Sequence, residues 1–313
     1  MPTSSPEWIG AGEILRRVSP DAARQLLRQA LADGFDPATD PPRSGPRAGA
    51  GQLLIMPSAL DDAVGVKVLS VAPDNPARGL PRIQAWYVLM DAATLTPSVL
   101  LDGVALTSLR TPGMSMVGAD ALAPAEIDHV LILGSGPQAI AHAEALLAIR
   151  RPRRCLVHSP TAAKAEAAAS AIAALGLPAT AIASAAVPGV VADADLILCC
   201  TSAATPLFDG SLVSEGACVV AIGSHEPDRR ELDGSLMGRA QVVVEDAGTA
   251  LREAGDVVMA IEEGALAASG LVTIRQIVTG EVRPATDRPR VFKTVGMSWQ
   301  DLVIASAAAH PRA

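Results

Sequence analysis

Apolar residues recur at helical spacing between residues 13 and 34. The pattern predicts helix, with Ser19 capping a second segment, Pro20 at its first position, Asp21 in its first turn and Gly34 as a stop. The stretch PATDPPRSGPRAGAGQ that follows is too rich in proline and glycine for regular structure. The period then changes. Leu53–Met56, Gly65–Val71, Ala85–Met90 and Ser98–Leu101 predict strands. No long helix separates them, so a mixed or antiparallel sheet is expected. Residues 107–123 turn helical again.

Near Asp128 the style changes. Val130–Leu133 is a short apolar run that ends in Gly134-Ser135-Gly136-Pro137-Gln138-Ala139 and leads into a helix, IAHAEALLAIR. Strands at Cys155–His158, Thr180–Ala183, Leu196–Cys200, Val219–Ile222 and Val242–Val244 follow, with an alanine-rich helix over 161–175. Strands that alternate with helices mean βαβ units and a parallel sheet. The predicted class is α/β, a Rossmann-type doubly wound parallel sheet plus an α+β domain. The α/β domain is placed at 125–289. The tail reads as a loop at Phe292–Gly296 and then a helix. It is expected to cross back, so that 1–124 and 290–313 form the other domain.

Half of the 313 residues are hydrophobic but only 2% are aromatic, so the cores rest on aliphatic side chains. No apolar run reaches the roughly 18 residues of a membrane span. No basic segment leads into an apolar one at the start, so a cytoplasmic location is expected. The net charge of −8 argues against a nucleic-acid partner. The four cysteines, Cys155, Cys199, Cys200 and Cys218, form no CxxC pair. Buried thiols in a reducing compartment are expected, with adjacent Cys199 and Cys200 both inside the fold. His129, His142 and His310 lack partners at ligand spacing, so no metal is assigned.

The GxGxxA turn is the strongest local signal. Gly134 would make a tight turn, Gly136 would let backbone approach a pyrophosphate, and Ala139 would let helix and strand pack closely. Ser135, Pro137 and Gln138 complete the candidate loop. An acid at the end of the second strand would bind a ribose 2′-hydroxyl. The chain has His158, Ser159 and Thr161 around Pro160 instead. These suit a 2′-phosphate, so NADP(H) is favoured, with NAD(H) the alternative. Thr201 and Ser202, at the end of the fourth strand, are further candidate contacts, Thr201 being equally readable as a helix cap.

Two cations stand out in the first domain. Lys67 lies in the apolar strand GVKVLSV, and Arg110 lies near the start of a predicted helix, which its charge opposes unless it meets an anion. The stretches around them, LLIMPSALDDAVGVKVLSV and LTSLRTPGMSMVGADALAP, together with VLILGSGPQA, IGSHEPDRRELD, VVVEDAGTALREAGD and VFKTVGMSWQDL, resemble the ornithine cyclodeaminase/μ-crystallin family in order and spacing. The resemblance runs from about Pro41 to Ala305. It implies a homodimer with a nicotinamide cofactor between two domains. It also implies carboxylate-binding cations at Lys67, Arg110 and Arg43, with Arg47 competing for the third place. Cofactor contacts are implied at Ile222, Gly223, Ser224 and Thr294.

There are departures from the family pattern. Ornithine cyclodeaminases carry an Asp where this chain has His225, and Arg82 stands where a small hydroxyl residue is usual. The run from Gly223 to Glu231 is closer to the family's ketimine reductases. The resemblance thus implies reduction of a cyclic ketimine carboxylate, Δ1-pyrroline-2-carboxylate or its six-membered homologue, to L-proline or L-pipecolate. Lys67 or His225 would supply the proton. The rivals are ornithine cyclodeamination, alanine-type dehydrogenation, and a non-catalytic crystallin-like binder. Asp228, Arg229, Arg230 and Glu231 read as a solvated charged loop, with Glu231 a candidate brace for the cofactor loop. Asp301 reads as structural, and Trp86 and Tyr87 as packing or dimer-interface residues.

Overall fold

Alternation along the first strands is what buries Lys67. In the computed structural model, residues 5–60 and 63–310 are described; Asp61 and Asp62 of the LLIMPSALDDAVGV stretch lie outside them. The first sheet contains β1 (Glu7–Ile9), β2 (Arg47–Ala48), β3 (Gly51–Leu60), β4 (Ala63–Val71), β5 (Ile83–Asp91) and β6 (Pro97–Asp102). Their order is β1-β6-β5-β4-β3-β2. All neighbours are antiparallel except β1, which runs parallel to β6. The mixed sheet is as expected, but β1 was not. At three residues it is too short to carry a period.

Side chains of a strand alternate between faces. Lys67 on β4 stands opposite Met56 on β3 and Tyr87 on β5. All three are buried, with Ser58, Leu89 and Leu101 on the same face. The other face carries Val66, Val68, Trp86, Val88 and Leu100, with Trp8 beside Leu100. Trp8 and Trp86 are 50% and 56% exposed, and their rings lie 4.8 Å apart.

Helices α1 (Ala11–Arg17) and α2 (Pro20–Ala32) are separated by extended Val18, and Ser19 caps α2 by accepting from the Ala22 N–H at 3.2 Å. Helix α3 (Gly103–Leu122) begins four residues before the expected start, because Asp102 accepts from the N–H groups of Val104 and Ala105, both at 2.9 Å. Arg110 therefore sits in mid-helix. The dipole argument for an anion does not apply there; its partners come from elsewhere. Most of α3 is buried. Gly118 lets it lie against Phe292, whose ring would collide with an added Cβ.

The second sheet contains β7 (His129–Leu133), β8 (Arg154–His158), β9 (Ala179–Ala181), β10 (Leu196–Cys199), β11 (Cys218–Ala221), β12 (Gln241–Val244), β13 (Val272–Thr273) and β14 (Arg290–Lys293). The order is β13-β12-β14-β11-β10-β7-β8-β9, with every pair parallel. Helices α4 (Pro137–Leu146), α5 (Ala162–Ala174), α6 (Val187–Asp193), α7 (Gly234–Arg239), α8 (Ala247–Glu253), α9 (Gly255–Glu262) and α10 (Ile274–Val278) connect the strands. The strand order reverses between β7 and β10, the switch point where open α/β sheets bind ligands.

Residues 290–293 correct the expected loop and boundary. They form a fully buried strand between β11 and β12. A four-residue run with a cation at each end shows no strand pattern by itself; only both flanking strands reveal it. The chain leaves the parallel sheet after Lys293 and ends in α11 (Ser298–Ala309), which packs on β3, β4 and α3.

Candidate active site

The turn after β7 has the form a pyrophosphate requires. Gly134 has φ +126°, and a Cβ there would collide with the Cys200 carbonyl oxygen. Gly136 precedes α4 in extended conformation and gives it no side-chain cap. A Cβ on Gly136 would meet no atom within 4 Å, so the turn borders open space. A helix N-terminus without a side-chain cap that borders open space suits an anion. Here Pro137 brings no N–H and the Ala139 N–H is held by the Gly136 carbonyl at 3.0 Å, so the Gln138 N–H is the one the first turn offers. Pro137 and Gln138 occupy that first turn, and buried Ala139 keeps α4 against the sheet. Behind it, the His142 ring lies between the Gln138 carbonyl (2.7 Å) and the Ser115 hydroxyl (2.8 Å), joining α4 to α3.

At the end of β8, the Ser135 hydroxyl donates to that of Ser159 at 3.0 Å. Thr161 stands at the head of α5 with no side-chain cap bond, and His158 Nδ1 lies 3.3 Å from the Ile182 carbonyl. No carboxylate lies between 158 and 161.

Glu231 is not solvated. It is fully buried, and it ties the ends of β10 and β11 together. Oε1 accepts from the Thr201 N–H (2.9 Å) and hydroxyl (2.6 Å), and Oε2 accepts from the Gly223 N–H (2.7 Å). A side chain at Gly223 would strike the Thr201 carbonyl. The Thr201 hydroxyl also accepts from the Ala203 N–H at 3.1 Å, so it is occupied within the protein. Ser202 accepts from Arg229 through its carbonyl, and the buried Ser224 hydroxyl donates to the Arg229 carbonyl. The Ile222 N–H is held by the Cys199 carbonyl at 3.1 Å. Cys199 is buried as expected, but Cys200 is only half-buried because it lies at this open edge. Beneath the loops, Asp256 accepts from the Glu231 and Leu232 N–H groups and pairs with Lys293 at 3.0 Å.

The second half of the site is a buried charge cluster. Lys67 Nζ lies 2.6 Å from Asp301 Oδ2 and donates to the Thr107 hydroxyl at 3.2 Å. Burial pushes the ammonium pKa down to about 8; Asp301 opposes the shift, and Arg110 and Arg43 reinforce it. Arg110 Nε lies 3.6 Å from Asp301 Oδ1, and Nη1 donates to Gln300 Oε1 at 3.3 Å. Its guanidinium fills the space where Gly296, at φ +77°, lacks a Cβ. The Thr294 hydroxyl donates to Glu245 at 2.5 Å, and Glu245 also accepts from the Val295 and Gly296 N–H groups. Asp301 is thus an ion-pair partner of two of the three expected clamp residues, Lys67 and Arg110. An acid in an apolar helix, SWQDLVIASAAA, was the available signal. Glu245 and Gln300 gave none, since their partners lie about 50 residues away or more in sequence.

Of the two competing arginines, Arg43 reaches the cluster and Arg47 lies exposed on β2. Arg43 pairs with Glu253 at 2.6 Å and donates to the Val295 carbonyl (3.3 Å) and the His225 carbonyl (3.4 Å). Crowding by the surrounding protein, then the positive charges of Arg43, Lys293 and Arg82, push the His225 pKa down. The His225 side chain is exposed. Arg82 is itself exposed. Asp40 accepts from the Ser58 hydroxyl (2.6 Å) and the Trp299 N–H (3.0 Å), and burial raises its pKa to about 6. It lines an open cleft with Arg43, Met56, Thr249, Glu253 and Gly296.

Burial raises the Glu231 pKa to about 7, against Lys293 and the Thr201 hydroxyl. The folded protein therefore holds this proton more tightly than the unfolded chain, whose carboxyl titrates near 4.5. Its stabilising contribution is full below the lower value and is lost as pH rises through the higher one. Glu231→Gln removes that titration. Between those two pH values, wild-type stability should fall relative to the variant by on the order of 3 kcal/mol in denaturant unfolding. Parallel pH profiles for the two proteins would contradict the shifted carboxyl.

The model of the ornithine cyclodeaminase/mu-crystallin family matches residues 17–309. A Δ1-pyrroline-2-carboxylate reductase of Bacillus cereus is 36% identical over 259 residues, covering 80% of this chain and 79% of that protein. A Δ1-pyrroline-2-carboxylate/Δ1-piperideine-2-carboxylate reductase of Azospirillum brasilense is 32% identical over 265 residues, 84% of this chain and 81% of that one. The solved Δ1-pyrroline-2-carboxylate reductase of Thermococcus litoralis, in complex with NADH and L-proline, superposes with a TM-score of 0.90 at 26% identity, covering 96% of each chain. A cation cluster on one sheet and a glycine turn on the other, joined by a crossing tail, thus coincide with sequence likeness along nearly the whole chain, and the chain belongs to the ornithine cyclodeaminase/mu-crystallin family.

Proposed function

We propose that this protein reduces a cyclic ketimine carboxylate, Δ1-pyrroline-2-carboxylate or Δ1-piperideine-2-carboxylate, to L-proline or L-pipecolate with a reduced nicotinamide cofactor. The observation that carries this is the buried Lys67–Asp301–Arg110 cluster, which combines a carboxylate clamp with a proton source. The named relatives, and the T. litoralis complex with NADH and L-proline, support it. Ornithine cyclodeamination is disfavoured by His225, which puts a neutral ring where that reaction has a carboxylate.

The cofactor, when bound at the Gly134–Ala139 turn, supplies a hydride to the imine carbon. The protein's own residues do the rest. Arg110 holds the substrate carboxylate, and Arg43 closes over it from the loop before β2. A guanidinium grips a carboxylate by two parallel bonds and so fixes its orientation. Lys67 gives its proton to the ring nitrogen, which makes the imine carbon a better hydride acceptor. A pKa near 8 keeps Lys67 charged at neutral pH yet ready to donate. His225, kept neutral by its cationic neighbours, has no proton to spare, so the role falls to Lys67.

The cofactor is NADP(H) in preference to NAD(H), because Ser159, Thr161 and His158 offer donors and no carboxylate at the end of β8. The protein is a homodimer that covers the apolar outer face around Trp8 and Trp86; a lone subunit would leave that face in water. A reducing, cytoplasmic compartment suits its four free thiols.

The deciding assay follows cofactor oxidation with both imines and both reduced cofactors; no oxidation in any combination would defeat the proposal. Lys67→Met should lower kcat/KM by about 10²–10⁴. In the wild type, kcat/KM should fall as pH rises through about 8, as Lys67 loses its proton. Asp301→Asn withdraws the charge that holds that proton, so its descending limb should move to lower pH; an unmoved limb would exclude Lys67 as donor. Ser159→Asp should reduce the NADPH-to-NADH ratio of kcat/KM by about tenfold or more, and an unchanged ratio would place the 2′-phosphate elsewhere. Trp86→Asp should halve the mass seen by light scattering, and a mass unaffected by the change would rule out this face as the interface.

A further inference from the structure

Arg110 does not place itself. Its guanidinium is held from two sides by consecutive residues of α11: Asp301 at Nε and Gln300 at Nη1. Gln300 is fully buried, and its amide has one polarity available. Its NH₂ donates to Glu245 Oε1 at 2.5 Å. A guanidinium can only donate, so the amide oxygen must face Arg110 and the amide nitrogen must face Glu245. Glu245 stands at the end of β12 in the parallel sheet, and its other oxygen holds the Val295 and Gly296 N–H groups where the chain crosses between sheets. Gly296 is the residue whose missing side chain leaves room for Arg110.

We infer that Glu245 and Gln300 are positioning residues for hydride transfer: they form a polar relay that registers the Arg110 clamp against the cofactor-bearing sheet. The inference rests on the proposed role of Arg110 in holding the substrate carboxylate. Neither residue touches the substrate. Their effect passes through Arg110, so it should appear in the kinetics of the imine and not in the binding of the cofactor. A hydrogen-bonded chain that spans two sheets sets the distance between reacting groups more tightly than apolar packing alone.

The test is a double-mutant cycle and a polarity swap, read in imine kinetics and in reduced-cofactor binding by fluorescence. Gln300→Leu should raise the imine KM and lower kcat/KM by about tenfold or more, with cofactor Kd unchanged within about twofold. In an Arg110→Ala background the same change should have no further effect, because the group it acts through is gone. Glu245→Gln alone frees the Gln300 amide to turn its NH₂ toward Arg110, and should also lose kcat/KM. The pair Glu245→Gln with Gln300→Glu restores a donor facing an acceptor at each joint, and should recover most of the loss. Equal losses from Gln300→Leu in both backgrounds, or a swap no better than Glu245→Gln alone, would overturn the relay. If Arg110→Ala itself leaves imine kinetics unchanged, it is the proposed role of Arg110 that fails, and the relay fails with it.

Discussion

A carboxylate with no exposure to water, Asp301, sits between two cations on separate elements and ties the first sheet, α3 and the last helix together. Lys67 comes from a sheet, Arg110 from the middle of α3, and Asp301 from the last helix. Burying any one of these charges alone would cost several kcal/mol. Together they neutralise much of that penalty, and the arrangement survives only with all three elements in place. The cluster is weak evidence of stability, since an apolar core of equal volume does as well. Its value is geometric. It keeps a proton on a lysine that burial would otherwise strip, and it aims a guanidinium.

The same device appears at the carboxyl edge of the parallel sheet. Glu231 is the partner of two loop N–H groups and so ties the loops after β10 and β11 to each other. Glu245 does this for the crossing tail. Both carboxylates sit where glycine permits close approach: Gly223 against Thr201, and Gly296 against Arg110. Each acid–glycine combination ties a connection of the parallel sheet in place. Strand β14, central in that sheet, leads directly into the helix that bears Asp301.

Local signals in the chain were enough for the class of fold and for two anchor points. Strand alternation, the Ser19 cap and the glycine turn after β7 act within a few residues, and each appears where the pattern put it. Lys67 was conspicuous because a charge in an apolar strand is costly, and Arg110 because it stood near a predicted helix start, a reason the longer α3 removes. Two of the misses share a cause, partners distant in the chain: strand β14 is four residues long and exists because β11 and β12 flank it, and Glu231 looked like part of a solvated charged loop until its donors, eight and thirty residues earlier, were in view. The start of α3 is a local miss, set by the Asp102 side chain one residue before the helix.

Which residues are hydrophobic, where the glycine turn after β7 falls, and which charges have no local partner were settled by sequence alone, because these depend on the intrinsic chemistry of a residue and its near neighbours. Which partner each buried charge takes was settled only by the tertiary structure. Asp301 meets Lys67 across 234 positions, and Gln300 meets Arg110 across 190. Pairings at such separation follow from the packing of whole elements, and no local pattern in the chain encodes them.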